Sequence, residues 1–159
     1  MPKPDVAALR IERRLATGWL VLLLAAAPLS AGDWPQILGP LRTGIARDES
    51  LADRWPAGGP PVAWQRKVGS GFSGIAVAGD RAVLFHRVGN KEVVEAMNAA
   101  TGKVIWTRSF PTSYVPSYTS DNGPRCVPTI HGQHVIVYGA RGNLHCLDLA
   151  SGKPRWSRD

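Results

Sequence analysis

The sequence predicts an all-β chain: four-stranded antiparallel blades of a partial β-propeller, preceded by a signal-peptide helix. Three observations predict it. Two segments that end in tryptophan, Glu95-Ala-Met-Asn-Ala-Ala-Thr-Gly-Lys-Val-Ile-Trp106 and His145-Cys-Leu-Asp-Leu-Ala-Ser-Gly-Lys-Pro-Arg-Trp156, are near copies at an offset of 50 residues. Short apolar runs within each copy are separated by glycine-bearing turns. Finally, six Trp, 17 Gly and 13 Pro among 159 residues suit many short strands rather than a helical bundle. A repeat length of ~40–50 residues is that of a solenoid or propeller.

The elements follow in order. Arg10, Arg13 and Arg14 precede an apolar stretch over 19–27, and Pro28-Leu-Ser-Ala31 supplies small residues for cleavage after Ala31. The apolar run is about half of the ~20 residues a bilayer-spanning helix requires, so 1–31 reads as a signal peptide leaving no integral span after cleavage. Periplasmic or secreted placement follows. The Arg13-Arg14 pair leaves both the general and the twin-arginine export routes open. Residues 32–62 form a leader segment, and 63–159 hold about two blades.

Within the first blade, Val77-Ala-Gly-Asp-Arg-Ala-Val-Leu-Phe85 predicts a hairpin with Gly79 in the turn. Ile130-His-Gly-Gln-His-Val-Ile-Val-Tyr138 is its counterpart at an offset of 53. Third strands follow at 93–97 and 144–147. The turns at 100–103 and 150–153 each contain a glycine that supplies positive φ. Fourth strands begin before Trp106 and Trp156, and Pro154, which donates no ladder hydrogen bond, suits an outer edge. Trp64 precedes a similar run 42 residues before Trp106.

Net charge is +7, but Lys3, Arg10, Arg13 and Arg14 belong to the N-terminal segment and the other charges are scattered singly. Nucleic-acid binding needs clustered phosphate contacts, so no nucleic-acid partner is expected. Cys126 precedes the first strand of a blade and Cys146 lies in its third. First and third strands stand roughly 9.6 Å apart, whereas a disulfide needs Cα atoms within about 7 Å. The two cysteines are therefore expected to stay unpaired.

Ala96-x-Asn98-x-x-Thr101-Gly102-x-x-x-Trp106 resembles the tryptophan-docking motif of the pyrroloquinoline-quinone-type (PQQ-like) propeller repeat. The second copy keeps Asp148, Gly152 and Trp156, with Cys146 and Ser151 replacing Ala and Thr. The leader, Asp33-Trp-Pro-Gln36 followed by Gly39, Pro40, Arg42 and Gly44, is similar to that of exported quinoprotein-like proteins. The resemblance implies that the tryptophans pack between adjacent blades while the Thr-Gly turns bond across them. Trp64, Thr101, Gly102, Trp106, Asp148, Gly152 and Trp156 are then the blade-docking residues. Such propellers close with seven or eight blades, so the resemblance also implies that this chain is a fragment of a longer protein.

The family includes quinone-dependent alcohol dehydrogenases and a non-enzymatic outer-membrane assembly lipoprotein. The dehydrogenases use vicinal cysteines over the quinone, acidic and amide ligands for Ca²⁺, and an Asp base. This sequence has no adjacent cysteines, and Ca²⁺ takes six or more oxygens. No cofactor is evident; PQQ with Ca²⁺ belongs to the alternative reading, part of a PQQ-dependent alcohol or sugar dehydrogenase. His131-x-x-His134 falls in a polar turn and lacks a third ligand, so no metal site is expected.

Loops joining an outer strand to the next inner strand lie at the propeller's channel mouth, and loops carry function disproportionately. Two occur, 68–74 and 110–125. The longer offers Tyr114, Tyr118, Asp121, Asn122 and Arg125 as ligand-binding candidates; the same residues also suit an Asx turn with a structural arginine. The expectation is a binding or scaffold propeller that holds a protein or glycan partner, without catalytic residues.

Overall fold

The computed structural model describes residues 32–47, 49 and 52–159. The signal peptide expected over 1–31 lies outside the described residues. Eight strands form two four-stranded antiparallel sheets. The first contains β1 (Ala76–Ala78), β2 (Arg81–Val88), β3 (Lys91–Asn98) and β4 (Val104–Pro111). The second contains β5 (Thr129–His131), β6 (His134–Tyr138), β7 (Leu144–Asp148) and β8 (Pro154–Arg158). Each sheet is a meander in chain order, as the hairpin signals predict, and no strand crosses from one sheet to the other.

The two blades repeat each other in detail. The β1–β2 pair closes on Ala78 opposite Arg81, and β5–β6 closes on His131 opposite His134. In the fourth strands, Ala96 faces Trp106 and Cys146 faces Trp156. A register shift follows immediately in both sheets, between Ala96 and Met97 and between Cys146 and Leu147. One residue more on the outer strand than on its partner is a bulge, which increases local twist. Its recurrence beside both tryptophans ties the bulge to the repeat rather than to one blade. Pro154 opens β8, the outer edge strand of its sheet.

The core lies between the sheets. Val83, Phe85, Val94, Ala96 and Trp106 from the first sheet meet Ile130, Val135, Val137 and Leu147 from the second. The opposite face of the first sheet packs Ala82, Leu84 and Met97 into a smaller cluster. With both faces covered, six consecutive residues of β2, Ala82 to Arg87, are buried. A strand covered on one face only would alternate. In contrast, β8 is exposed along its whole length.

The leader runs along the inner edges of both sheets. Trp34 and Val77 exchange backbone hydrogen bonds of 2.8 and 2.9 Å, and the Ile130 amide donates to the Pro35 carbonyl at 2.7 Å. The Asp33 carboxylate accepts from the Gly79 amide in the first hairpin turn. These bonds occupy donors that short inner strands would otherwise leave open to solvent. Cys126 and Cys146 are both free thiols, consistent with their separation across the second sheet. Burial raises the thiol pKa of each.

Candidate functional site

The docking residues between the blades show why the repeat looks as it does. The Trp106 indole is 9% exposed and donates from Nε1 to the Leu149 carbonyl at 2.8 Å. It lies flat over Gly152, where a Cβ would come within 2.5 Å of the ring. Gly152 has φ +66°, so glycine is required twice, by conformation and by contact. Trp64 repeats the arrangement one blade earlier, with Nε1 donating to the Ala99 carbonyl at 2.9 Å and the ring over Gly102. Trp156 stands on the far face of the second sheet, 40% exposed.

The Thr-Gly turns bond both within themselves and across to the neighbouring blade. Both the amide and the hydroxyl of Thr101 donate to Asn98 Oδ1 in the same turn, and Ser151 does likewise to Asp148. Across the blades the turn region accepts: the Trp106 indole donates to the Leu149 carbonyl, and Arg108 Nε donates to the Gly152 carbonyl. The Ser151 hydroxyl, together with Arg155, holds the Asp148 carboxyl down at about 2. A Trp-x-Arg pattern recurs at Trp64/Arg66, Trp106/Arg108 and Trp156/Arg158, but Arg66 bonds Glu95 and Arg158 the Ser157 carbonyl, so Arg108 alone of the three makes the bond to a turn carbonyl among the described residues. A further tie runs from Glu92, whose carboxylate accepts the Ala140 amide across the interface.

Against the first blade, Arg66 pairs with Glu95 at 2.7 Å, and Glu95 also lies 3.6 Å from His86 Nε2. His86 Nδ1 accepts the Gly69 amide, which places its proton on Nε2. Burial lowers the His86 pKa, opposed by Glu95 and aided by Arg66.

The two loops come together beside the first sheet, 68–74 against 112–125, since β4 runs on through Pro111. Arg87, buried at the end of β2, donates to the carbonyls of Gly89, Tyr114 and Asn122. It fastens the longer loop at two points. The Asp121 carboxylate accepts the Gly123 amide in an Asx turn and reaches across to the Gly71 amide. Asn122 Oδ1 accepts the Ser70 hydroxyl, and the Phe72 amide donates to the Pro124 carbonyl. Two of the candidate residues, Asp121 and Asn122, thus face inward and join the loops.

The other three candidates gather around one guanidinium. Arg125 Cζ lies 5.1 Å from the Tyr114 ring centroid, 5.6 Å from that of Tyr118 and 5.5 Å from that of Phe72. Its nitrogens donate to the carbonyls of Gly123 and Asp121. The adjacent Tyr118 hydroxyl, more than any other group, raises the Tyr114 phenol pKa. Tyr118 is 74% exposed, Phe72 61% and Val115 82%. Phe72 joins the cluster, and Val115 is exposed on the same loop as Tyr118; neither stands out in the sequence, because a single apolar residue in a Gly- or Pro-rich loop has no periodic context. Arg87 was equally hidden: in a strand buried on both faces, a charged residue reads as a solvent position.

These residues do not fit a quinone–Ca²⁺ centre. Both oxygens of the Asp121 carboxylate are already committed to backbone amides. Among the described residues, no three His, Cys, Asp or Glu side chains are grouped to hold a metal ion. His131 ends β5 and His134 opens β6, both exposed and flanking the Gly132-Gln133 turn.

A family model described as outer membrane protein assembly factor BamB matches residues 90–159. The outer membrane protein assembly factor BamB of Burkholderia pseudomallei (strain K96243) is 34% identical over 88 residues, 54% of this chain and 22% of that protein. The chain therefore spans less than a quarter of that relative's length. BamB from Moraxella catarrhalis aligns at 28% identity and a TM-score of 0.46, over 63% of this chain and 27% of that one. A europium-containing methanol dehydrogenase aligns at 22% identity and a TM-score of 0.41, over 53% and 14% respectively. The doubled docking motif and its indole-on-glycine geometry make the two sheets successive β-propeller-type blades, and residues 90–159 are similar to the family described as outer membrane protein assembly factor BamB.

Proposed function

We propose that this chain is a non-catalytic binding or scaffold module outside the cytoplasm, holding a protein partner on the channel-mouth face. One observation carries the reading: two adjoining loops, the longer fastened by the buried Arg87, present Phe72, Val115 and Tyr118 to solvent. Exposed aromatic side chains on a rigid support are the usual anchors of protein recognition. The polar groups beneath them serve loop architecture. The Burkholderia pseudomallei relative is named for outer membrane protein assembly. By extension, this chain is read as a periplasmic participant in assembling envelope proteins. The domain organisation that goes with this is a signal peptide over 1–31, a leader over 32–62 and propeller repeats over 63–159.

A photo-crosslinking residue placed at Tyr118 tests the reading in producing cells, with one at Lys153 on the exposed 150–153 turn as control. A discrete adduct from Tyr118 and none from Lys153 is expected. Equal labelling from both positions, or none from Tyr118, overturns the mouth face as the partner site. Supplying PQQ, Ca²⁺ and an alcohol to the purified chain is expected to give no dye reduction; turnover would favour the dehydrogenase alternative.

A further inference from the structure

We infer that Arg125 and the rings of Phe72, Tyr114 and Tyr118 form a recognition site for a carboxylate on an acidic peptide that also bears apolar side chains. The inference rests on the proposed partner role of the channel-mouth face and names the chemistry that face selects.

Charge at the mouth is unbalanced in a specific way. Arg125 meets only two neutral acceptors, the carbonyls of Gly123 at 2.6 Å and Asp121 at 3.1 Å. A guanidinium has five N–H donors, so most of its capacity is unspent. The ion pairs among the described residues are Arg66–Glu95, Arg81–Asp80, His86–Glu95 and Arg155–Asp148. Neither Arg125 nor its neighbours Arg87 and Arg141 takes part. Arg87 is spent on carbonyls, and Arg141 donates to the Ser113 hydroxyl at the base of the loop. The two nearby carboxylates, Asp121 and Glu92, are turned to backbone amides. The Arg125 guanidinium, without an ion-pair partner among the described residues and walled by aromatic rings, is therefore the charge that a partner meets.

The geometry suits a carboxylate. The two backbone bonds hold the guanidinium in place, so little side-chain freedom remains to be lost on binding. Exposed Phe72 and Tyr118 beside it offer apolar contact for flanking side chains and keep water from the ion pair, which strengthens the attraction. A phosphate group fits less well. The glycine amides that would cradle its oxygens, Gly71 and Gly123, are already bound to Asp121, whose own charge opposes a dianion.

The test uses the full chain, isotopically labelled, and three synthetic peptides that alternate phenylalanine with glutamate, glutamine or lysine. The glutamate peptide is expected to shift the resonances of Arg125 Nε, Phe72 and Tyr118. It should bind about tenfold more tightly than the glutamine peptide, as one charge-assisted bidentate contact implies. Arg125→Gln should abolish that preference. Tyr118→Ser, at an exposed position that folding tolerates, should weaken both peptides and keeps the test open should Arg125→Gln fail to fold. Equal binding of the glutamate and glutamine peptides, or tighter binding of the lysine peptide, overturns the carboxylate site while leaving a partner-binding mouth in place. If none of the three shifts the mouth resonances and Tyr118 yields no crosslink, both readings fall.

Discussion

Replacing Gly152 by alanine tests the docking geometry that organises the fold. The added methyl would stand 2.5–3.1 Å from three carbons of the Trp106 indole, on a backbone held at φ +66°. Left-handed alanine costs roughly 1 kcal/mol. The methyl also forces the indole off its seat. A tryptophan buries on the order of 200 Å², so re-exposing half of it at ~25 cal/mol per Å² loses about 2.5 kcal/mol. The Nε1 bond to Leu149 adds about 1 kcal/mol if it breaks. The expected destabilisation is about 3–4 kcal/mol once partial relaxation is allowed. Gly132→Ala is the matched control. It has φ +53° and nothing within 4 Å of its Cβ position, so only the ~1 kcal/mol backbone strain applies. Urea unfolding of both variants, followed by circular dichroism, measures the difference. In a Trp106→Ala background, Gly152→Ala should fall to the control value, a coupling of about 2 kcal/mol or more. Equal midpoints for Gly152→Ala and Gly132→Ala would refute the reasoning.

Two further outcomes are expected. Asp148 has its carboxyl lowered from 3.8 to about 2 by the Ser151 hydroxyl and Arg155, so its contribution is complete above pH 3.8 and is lost as pH falls through about 2. Its counterpart Asn98 carries no charge, so amide exchange at Ser151 should accelerate over that window while Thr101 does not follow. Arg87→Met removes three bonds to carbonyls, each worth about 1.5–3 kcal/mol to a charged donor. Faster exchange across 112–123 is expected, with the β2–β3 ladder still protected.

Most of the blade architecture could be read from the sequence because its signals are local. Gly79 and Gly132 mark hairpin turns, and Gly102 and Gly152 recur at a fixed distance before a tryptophan; each is dictated by backbone conformation or by a neighbour one blade away. The rest depended on contacts that leave no periodic trace. Val93–Met97 was recognised as a strand, yet β3 begins at Lys91 because Glu92, a charged residue, is buried against the next blade's turn. Asp33, Trp34 and Pro35 could be recognised as a leader, but not as the partner of two separate inner edges. In the mouth, sequence reasoning collected Tyr114, Tyr118, Asp121, Asn122 and Arg125 by proximity along one loop. It had no means of separating those that face outward from those that bond the loop to 69–71.

The leader has a consequence for the shape of the assembly. Its backbone fastens β1 and β5 to each other at their narrow ends, while Trp106 on Gly152 fastens the same two sheets near their outer strands. Two fixings at different radii leave the sheets no hinge about which to open or close. The wedge angle between them is thereby determined from within this pair, before any neighbouring blade is placed.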